Sequence, residues 1–202
     1  MTTVGLVLAA GAGRRMGGPK ALVRLTDGGP TLVETAVARV VEGGCDRVVV
    51  VVGAAGDAVA ALLEGSGARV VHADDWDEGM GASLRTGLAH LAQGHDDLAL
   101  VTLVDLPDVT AQVVRRLLGA ARGEGRAALA RAAYGGVPGH PVVIGRDHWG
   151  AVVTRARGDR GARDHLRETP HHLVECGDLA TGRDLDTVGD LDDLRRGGRG
   201  IE

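Results

Sequence analysis

The feature that most constrains the fold of this 202-residue chain is a regular alternation of aliphatic runs with segments of helical spacing. The aliphatic runs are nearly unbroken and rich in β-branched residues, which is typical of strands buried on both faces of a sheet. They lie at residues 4–10, 46–53, 68–73 and 97–105. The segments between them repeat apolar residues at helical spacing and end near glycine, which predicts helices at 31–44, 57–67 and 83–94.

This alternation predicts an α/β fold with a layered, mostly parallel sheet, because strands separated by a helix pair in parallel through right-handed crossovers. Beyond residue 105 the pattern is less regular. There we expect helices at 110–122, at 160–168 and from 189, and strands at 127–134, 140–145, 171–176 and 183–187. No repeat and no long linker marks a second domain, so we expect one domain over 1–196 and a flexible, glycine-rich tail over 197–202.

Composition argues against several classes of function. The formal net charge is −4, from 23 basic and 27 acidic residues, so no excess of positive charge is present to attract nucleic acid or a membrane surface. No apolar run approaches the ~20 residues that span a bilayer, and no basic residue precedes the apolar N-terminus as in a signal peptide. Two cysteines, Cys45 and Cys176, cannot build a disulfide framework. We therefore expect a cytoplasmic protein with no nucleic-acid and no membrane partner.

The loop after the first aliphatic run has the composition of an anion site but matches neither standard phosphate motif. Met16 stands where a dinucleotide-binding fingerprint beginning at Gly11 and Gly13 would need its third glycine. Lys20 is followed by Ala21, and not by the serine or threonine that holds magnesium in a P-loop. The loop therefore predicts an anion site of another kind.

Glycines and basic side chains give this loop its chemistry. Its glycines permit positive φ and let backbone N–H groups approach a phosphate closely; they are Gly11, Gly13, Gly17 and Gly18. Arg15 suits forked binding of phosphate oxygens, and Lys20 is a point charge that can follow one phosphorus atom. The alternative is a flexible surface loop with solvated basic residues.

Asp105 ends a strand that is otherwise apolar, and a carboxylate at such a position indicates a specific role. A carboxylate there could bind magnesium, which takes one or two carboxylates together with phosphate oxygens and water. The alternative is a helix-capping or turn-forming role, which Asp108 or Thr110 could fill as well. The anion site predicted in the first loop favours metal binding at Asp105.

Aromatic and histidine side chains allow weaker inferences. Trp76 and Trp149 could stack on a flat ring, although a partly buried tryptophan is commonplace. Solvated or packing roles are favoured for six histidines, which show no metal-ligand spacing: His72, His90, His95, His148, His171 and His172. His165 lies on a predicted helix face and is left without a role.

Several segments, in order along the chain, resemble one known family. The stretch "LAAGAGRRMGGPKAL" at 8–22 resembles the signature of the MobA-like nucleotidyltransferases, and specifically of their molybdenum cofactor cytidylyltransferase branch. Further segments look like that branch in the same order, at 79–88, 103–110, 136–149, 158–166 and 184–191. The first loop and the segment at 103–110 are shared by many nucleotidyltransferases, whereas those at 136–149 and 158–166 are narrower.

The resemblance implies a Rossmann-like three-layer α/β sandwich of the nucleotide-diphospho-sugar transferase type. Such an enzyme transfers a nucleoside monophosphate from CTP or another NTP to a phosphate-bearing acceptor and releases pyrophosphate. The implied acceptor is molybdopterin, the implied cofactor is Mg²⁺, and a molybdoenzyme or its chaperone is a further candidate partner.

The resemblance also implies roles for individual residues. Catalysis is assigned to Lys20, Arg15 and Asp105. Metal binding is assigned to Asp105 and Asp186, the latter chosen over Asp184. The implied nucleotide-binding residues are Leu8, Ala9, Ala10, Gly11, Gly13, Arg15, Lys20, Gly79 and Ser83. Acceptor binding is assigned to His140, Arg160 and Arg163.

The expected preference for one nucleotide base over another rests on Ala10. Guanylyl-transferring relatives usually carry glycine at this position, whereas cytidylyl-transferring relatives resemble this chain. A methyl group beside the base would narrow the space for a purine, so we expect CTP to be preferred over GTP.

Three alternatives remain open. Some relatives of this branch are oxidoreductases that act on nicotine-derived pigments, so an oxidoreductase is one. The second is nucleotidyl transfer to a sugar or alditol phosphate. The third is a non-catalytic nucleotide-binding protein that regulates or escorts a molybdoenzyme.

Overall fold

The protein is built around one seven-stranded sheet, and the computed structural model describes residues 1–197. The strands are β1 (Thr3–Ala9), β2 (Arg47–Val52), β3 (Arg69–His72), β4 (Leu98–Leu103), β5 (Leu129–Tyr134), β6 (Val137–Gly145) and β7 (His172–Glu175). Their order across the sheet is β3-β2-β1-β4-β6-β5-β7. The four strands predicted from the aliphatic runs, β1 to β4, are therefore neighbours.

The sheet is mostly parallel, as the alternation of strands and helices predicts. β1 pairs in parallel with β2 and β4, β2 with β3, and β5 with β7. Only β6 runs against its neighbours, β4 and β5. The carboxyl ends of β1, β2, β3 and β4 consequently open at one edge of the sheet, where ligands bind in open α/β folds.

Seven helices cover the two faces of the sheet in the described part of the chain. They are α1 (Leu32–Glu42), α2 (Gly56–Leu62), α3 (Met80–Ala92), α4 (Ala111–Ala121), α5 (Arg146–Arg155), α6 (Arg163–Glu168) and α7 (Val188–Gly197). Residues of α1, α2, α4 and α7 share one core cluster, and residues of α3, α5 and α6 share the other. This is the expected three-layer α/β sandwich.

The alternation of side chains along each strand explains the two cores. On β1, Val7 and Ala9 belong to one core cluster, whereas Leu6 and Leu8 belong to the other. All four residues are at most 6% exposed. A strand buried on both faces needs apolar residues at every position, which is why the runs are almost unbroken.

The structure differs from the sequence-based expectation at three places in the second half of the chain. Residues 183–187 form no strand: Leu185 donates one backbone hydrogen bond to the Asp105 carbonyl (2.9 Å) and buries its side chain in the core. The helix expected at 160–168 begins at Arg163, because Gly161 adopts a φ of 52°. Helix α5 was not predicted, since "RDHWGAVVTR" contains glycine and β-branched residues of low helix propensity, and Trp149 and Val152 anchor it by burial.

Two further predictions concern the C-terminal tail and the number of domains. The tail predicted over 197–202 lies outside the described residues, apart from Gly197, which ends α7. The single domain over 1–196 stays a prediction. Within residues 1–197, no helix combines the length and the apolar character that crossing a membrane requires.

Candidate active site

A cleft of about 430 Å³ opens at the carboxyl ends of β1 and β4. The loops that follow β1, β3 and β4 line it, together with one residue from the turn before α6 and one from the segment before α7. Ten of the residues predicted to bind nucleotide or metal lie on its wall: Leu8, Ala10, Gly11, Gly13, Arg15, Lys20, Gly79, Ser83, Asp105 and Asp186.

Ala9 is the one predicted nucleotide-binding residue that does not line the cleft. Its side chain lies in the core cluster on the other face of the sheet, because successive residues of β1 point to opposite faces. Leu8 and Ala10, on either side of it, do reach the cleft.

The glycine-rich loop is folded tightly on itself at Gly13. The carbonyl of Gly13 accepts hydrogen bonds from the N–H groups of Met16 (2.8 Å) and Gly18 (3.2 Å), and its φ is 58°. A Cβ added at Gly13 would lie 1.9 Å from the carbonyl oxygen of Gly18, whereas one added at Gly11 would meet nothing within 4 Å. Only glycine therefore fits at position 13, while position 11 is open.

Two arginines of this loop are available to a ligand. Arg14 and Arg15 both line the cleft and are exposed. Within residues 1–197 neither side chain has a hydrogen-bonding or ion-pair partner. Arg15, to which the family resemblance gives the triphosphate, is thus free to contact an anion, and Arg14 is a second guanidinium on the same wall.

Lys20 lies between the two predicted metal ligands. Its Nζ donates to Asp105 Oδ2 at 2.8 Å and to Asp186 Oδ1 at 2.6 Å. Burial lowers the pKa of Lys20, but the hydrogen bonds and charges of the two carboxylates outweigh burial and raise it above its ordinary value. Lys20 is therefore charged at neutral pH.

The segment before α7 brings the second carboxylate to the site. The backbone hydrogen bond from Leu185 to the Asp105 carbonyl (2.9 Å) fixes Asp184 and Asp186 near the end of β4. Asp186 lines the cleft and Asp184 does not. Burial raises the pKa of Asp184, and the negative charges of Asp105 and Asp186 raise it further. Asp105 and Asp186 are therefore the carboxylates that pair with Lys20, and Asp184 adds a third acidic group nearby.

The donor set fits a hard divalent cation. Asp105 Oδ1 is buried and has no hydrogen-bond partner in the described part of the chain. Among residues 1–197 no group of three or more histidine, cysteine or acidic side chains could hold a metal ion by itself. Two carboxylates, from Asp105 and Asp186, suit magnesium, which takes its other ligands from phosphate and water.

The end of the cleft formed by the loop after β3 contains Trp76. A Cβ added at Gly53 would lie 2.4 Å from Trp76 Cγ and 2.8 Å from the Ala10 carbonyl oxygen, so the indole lies beside Ala10. Ser83 is buried on α3 and lines the same end. An aromatic ring beside Ala10 could support a flat base.

Gly79 joins this end of the cleft to the turn before α6. Its φ is 115°, and an added Cβ would lie 2.7 Å from Asp159 Oδ1 and 2.7 Å from the carbonyl carbon of Gly158. The loop after β3 therefore packs directly against the 158–160 turn, whose Asp159 also lines the cleft.

The three predicted acceptor residues meet in a smaller cavity of about 40 Å³ beside the cleft. His140, Arg160 and Arg163 line it together with Arg131, and it shares Leu8 and Met80 with the cleft. Burial, followed by the positive charges of Arg131 and Arg163, lowers the pKa of His140 to about 4. His140 is therefore neutral at pH 7.

Arg131 is the residue in this cavity that the sequence analysis missed. It donates only to backbone carbonyls, those of Gly139 (2.9 Å) and Pro138 (3.3 Å). Burial, and then the charge of Arg163, lower the pKa of Arg131. Three guanidiniums therefore line the cavity, those of Arg131, Arg160 and Arg163. A charged residue inside the apolar β5 was the available signal. Trp76, for which the sequence allowed stacking on a flat ring, lines the cleft, as do Arg14, Asp77 and Asp159, which carried no distinguishing pattern.

Neither cavity is lined by His148, His165 or the two cysteines. His165 is buried, and its Nε2 lies 3.1 Å from His148 Nδ1, which is a packing arrangement. Burial raises the pKa of Cys45 to about 12 and also raises that of Cys176. Both thiols are free and buried, and neither lines a cavity described above.

The sequence matches one protein family and is similar to two known enzymes. Residues 5–174 match the family model described as the MobA-like NTP transferase domain. A nicotine blue oxidoreductase from Paenarthrobacter nicotinovorans is 43% identical over 194 residues, which cover 91% of this chain and 92% of that protein. A 2-C-methyl-D-erythritol 4-phosphate cytidylyltransferase from Ralstonia nicotianae is 34% identical over 172 residues, or 81% of this chain and 61% of that protein.

Solved structures agree over nearly the whole chain. A nucleotidyl transferase from Methanothermobacter thermautotroptrophicus superposes with a TM-score of 0.81 at 25% identity and covers 97% of both chains. A manganese complex of a Mycobacterium tuberculosis protein superposes with a TM-score of 0.75 at 26% identity, covering 97% of this chain and 99% of that one.

Proposed function

Because the chain belongs to the family of MobA-like NTP transferase domains, we propose that it transfers CMP from CTP to a phosphate-bearing acceptor and releases pyrophosphate. The proposed acceptor is molybdopterin or the molybdenum cofactor, the proposed cation is Mg²⁺, and the proposed compartment is the cytoplasm. One observation carries the proposal: Lys20, Asp105 and Asp186 form a cluster in a cleft that the glycine-rich loop also lines.

The reaction needs charge neutralisation more than proton transfer. An oxygen of the acceptor phosphate attacks the α-phosphorus of CTP, a new P–O bond forms, and the bond to the bridging oxygen breaks so that pyrophosphate leaves. The attacking phosphate is already anionic, so no general base is required. The obstacle is repulsion between two anions, which positioned cations and N–H groups reduce.

The cleft offers these groups at one end. Lys20 would contact the α-phosphate, Arg15 and the N–H groups of the glycine loop would hold the β- and γ-phosphates, and Asp105 with Asp186 would hold the cation. Bound Mg²⁺ would neutralise phosphate charge. A manganese complex of the Mycobacterium tuberculosis relative supports the use of a divalent cation.

The acceptor is proposed to enter from the side of the small cavity. His140, Arg160 and Arg163 lie there, next to the cleft, and Arg131 adds a third guanidinium, which is partly buried. Three arginines and a neutral histidine form an environment for an anion such as a phosphate monoester.

Replacing Arg163 with alanine is expected to raise the KM for the acceptor about tenfold or more and to leave the KM for CTP nearly unchanged. A hydrogen bond to a charged group contributes about 1.5–3 kcal/mol, and this one would be made to only one substrate. The matched control is Arg167→Ala on the same helix, which loses surface ion pairs with Asp164 at 3.2 Å and Glu168 at 3.8 Å and lines neither cavity. An effect of Arg163→Ala confined to CTP would contradict the placement of the acceptor.

Base preference is proposed to depend on Ala10. The variant Ala10→Gly should reduce the ratio of kcat/KM for CTP over GTP without reversing it, because one methyl group contributes only ~1–3 kcal/mol of discrimination. Ala9→Gly is the control, since it removes a methyl group from the adjacent residue, whose side chain lies in the core on the other face of the sheet. A preference of the unmodified protein for GTP would contradict cytidylyl transfer and leave nucleotidyl transfer in place.

An oxidoreductase is the second candidate, favoured by the 43% identity to nicotine blue oxidoreductase. The missing third glycine of the dinucleotide fingerprint, where Met16 stands, counts against ordinary dinucleotide use. The cytidylyltransferase relative favours an alditol phosphate acceptor as a further variant of the transfer reaction. A non-catalytic escort would bind NTP without turnover.

One assay separates these candidates. Pyrophosphate release is measured with Mg²⁺, each of four NTPs, and molybdopterin with or without molybdenum, or 2-C-methyl-D-erythritol 4-phosphate, as acceptor. Release with CTP and molybdopterin supports the proposal. Oxidation of a nicotinamide cofactor in the presence of a nicotine-derived pigment, without pyrophosphate release, would support the oxidoreductase.

A further inference from the structure

Lys20 is the only lysine of this chain. The other 22 of its 23 basic residues are arginine, including those that pair with carboxylates at Asp75, Asp96 and Asp178. An arginine presents a wide, planar fork, whereas a lysine presents a compact point charge on a flexible stem. The one lysine therefore lies where a small, movable cation is needed.

The ammonium group of Lys20 lies between two carboxylates, where a metal cation could also bind. Lys20 Nζ lies 2.8 Å from Asp105 Oδ2 and 2.6 Å from Asp186 Oδ1. The side chains of Lys20 and Asp105 are each only 17% exposed, so water screens their charges poorly. Without a cation between them, the two carboxylates would repel each other.

We propose that Lys20 is an internal stand-in for the divalent cation: it holds Asp105 and Asp186 in the nucleotide-free protein and leaves them when a triphosphate arrives. This inference rests on the proposed function of the site. It implies that the cation is loaded together with the nucleotide and binds poorly beforehand.

The exchange of partners follows from charge. In the free site, the ammonium group of Lys20 neutralises the carboxylates to which a divalent cation would bind. A triphosphate provides Lys20 with an alternative anion and provides the cation with phosphate ligands. When the cation and the triphosphate bind together, Lys20 and the two carboxylates each have a partner of opposite charge. A cation binding alone would face the ammonium group of Lys20, and a triphosphate that drew Lys20 away by itself would leave the two carboxylates facing each other.

The first test measures Mn²⁺ binding to the nucleotide-free protein by electron paramagnetic resonance. Lys20→Met should bind Mn²⁺ about tenfold or more tightly than the unmodified protein, because an opposite charge at this distance shifts the proton affinity of a carboxylate by about 1–3 pKa units. Lys20→Arg keeps the charge and should bind Mn²⁺ as weakly as the unmodified protein. Adding Asp105→Asn to Lys20→Met should abolish the gain. Equal Mn²⁺ affinity of Lys20→Met and the unmodified protein would overturn the proposal.

The second test uses the unmodified protein and its single lysine. Selective ¹³C labelling of the lysine ε-carbon provides one side-chain NMR signal, that of Lys20. Mg²⁺ alone should leave its position nearly unchanged, and Mg²⁺ with a non-hydrolysable CTP analogue should shift it. A full shift with Mg²⁺ alone would refute the stand-in role.

The outcomes separate this inference from the proposed function. Tighter Mn²⁺ binding by Lys20→Met, in a protein that releases no pyrophosphate with any NTP, would support the stand-in role and contradict nucleotidyl transfer. Normal pyrophosphate release by the unmodified protein, without any gain in Mn²⁺ affinity in Lys20→Met, would contradict the stand-in role alone.

Discussion

Replacing Asp105 with asparagine is expected to reduce the rate of pyrophosphate release by about 100-fold or more, because one preorganised charge partner is lost from the site. The substitution keeps the size of the side chain and removes its charge. It would take away one of the two proposed cation ligands and one of the two ion-pair partners of Lys20. The measurement is kcat with saturating CTP, Mg²⁺ and acceptor.

The fold should survive this substitution, so that the loss can be attributed to chemistry. The backbone carbonyl of Asp105, which accepts the hydrogen bond from Leu185, is unchanged. The control is Asp178→Asn, which removes a carboxylate that pairs with Arg116 on the surface away from the cleft. Thermal unfolding should be similar for both variants. A rate close to that of the unmodified protein in purified Asp105→Asn would exclude the proposed role of this carboxylate.

The first half of the fold could be predicted because local pattern and tertiary environment agree there. Strands such as β1 and β2 are buried on both faces, and burial demands the unbroken aliphatic runs that are visible in the sequence. The connecting helices have clear signals as well. Thr31 and Glu34, for example, form a capping box at the start of α1.

The second half depends on long-range contacts that no local pattern records. The segment at 183–187 alternates like a strand, yet Leu185 enters the core beyond the end of β4 and pairs only with Asp105. Helix α5 has weak intrinsic propensity and is stabilised by buried Trp149, whose indole N–H donates to the Ile144 carbonyl at 2.9 Å. Tertiary packing overrides propensity at both places.

In the candidate site, too, some features could be predicted from local sequence and others depend on long-range contacts. That the loops after β1 and β4 would meet could be predicted, because parallel strands end at one edge of the sheet. The ion pair between Lys20 and Asp186 joins residues 166 positions apart and depends on the path of an irregular segment. The shared environment of Arg131 and Arg163 likewise requires β5 and α6 to be placed in space. Residue types were therefore predictable, and their pairing was not.

Replacing Gly13 with alanine is expected to reduce kcat/KM for CTP by about 100-fold, because a shift of about 1 Å in a positioning loop is enough for such a loss. The new Cβ would lie 1.9 Å from the carbonyl oxygen of Gly18 and 3.1 Å from the backbone nitrogen of Lys20. The φ of 58° adds strain of about 1–3 kcal/mol for a residue with a side chain. The loop must therefore move, and Lys20 must move with it.

Gly18→Ala is the matched control, since it makes the same chemical change in the same loop. A Cβ at Gly18 would meet nothing within 4 Å, and its φ lies outside the left-handed region. We expect Gly18→Ala to retain a kcat/KM close to that of the unmodified protein, whereas Gly13→Ala loses activity and binds CTP more weakly in calorimetry. Because both variants remove one glycine from the loop, equal losses would indicate a general need for flexibility. That result would contradict the requirement for a left-handed turn at Gly13 that places Lys20 beside Asp105.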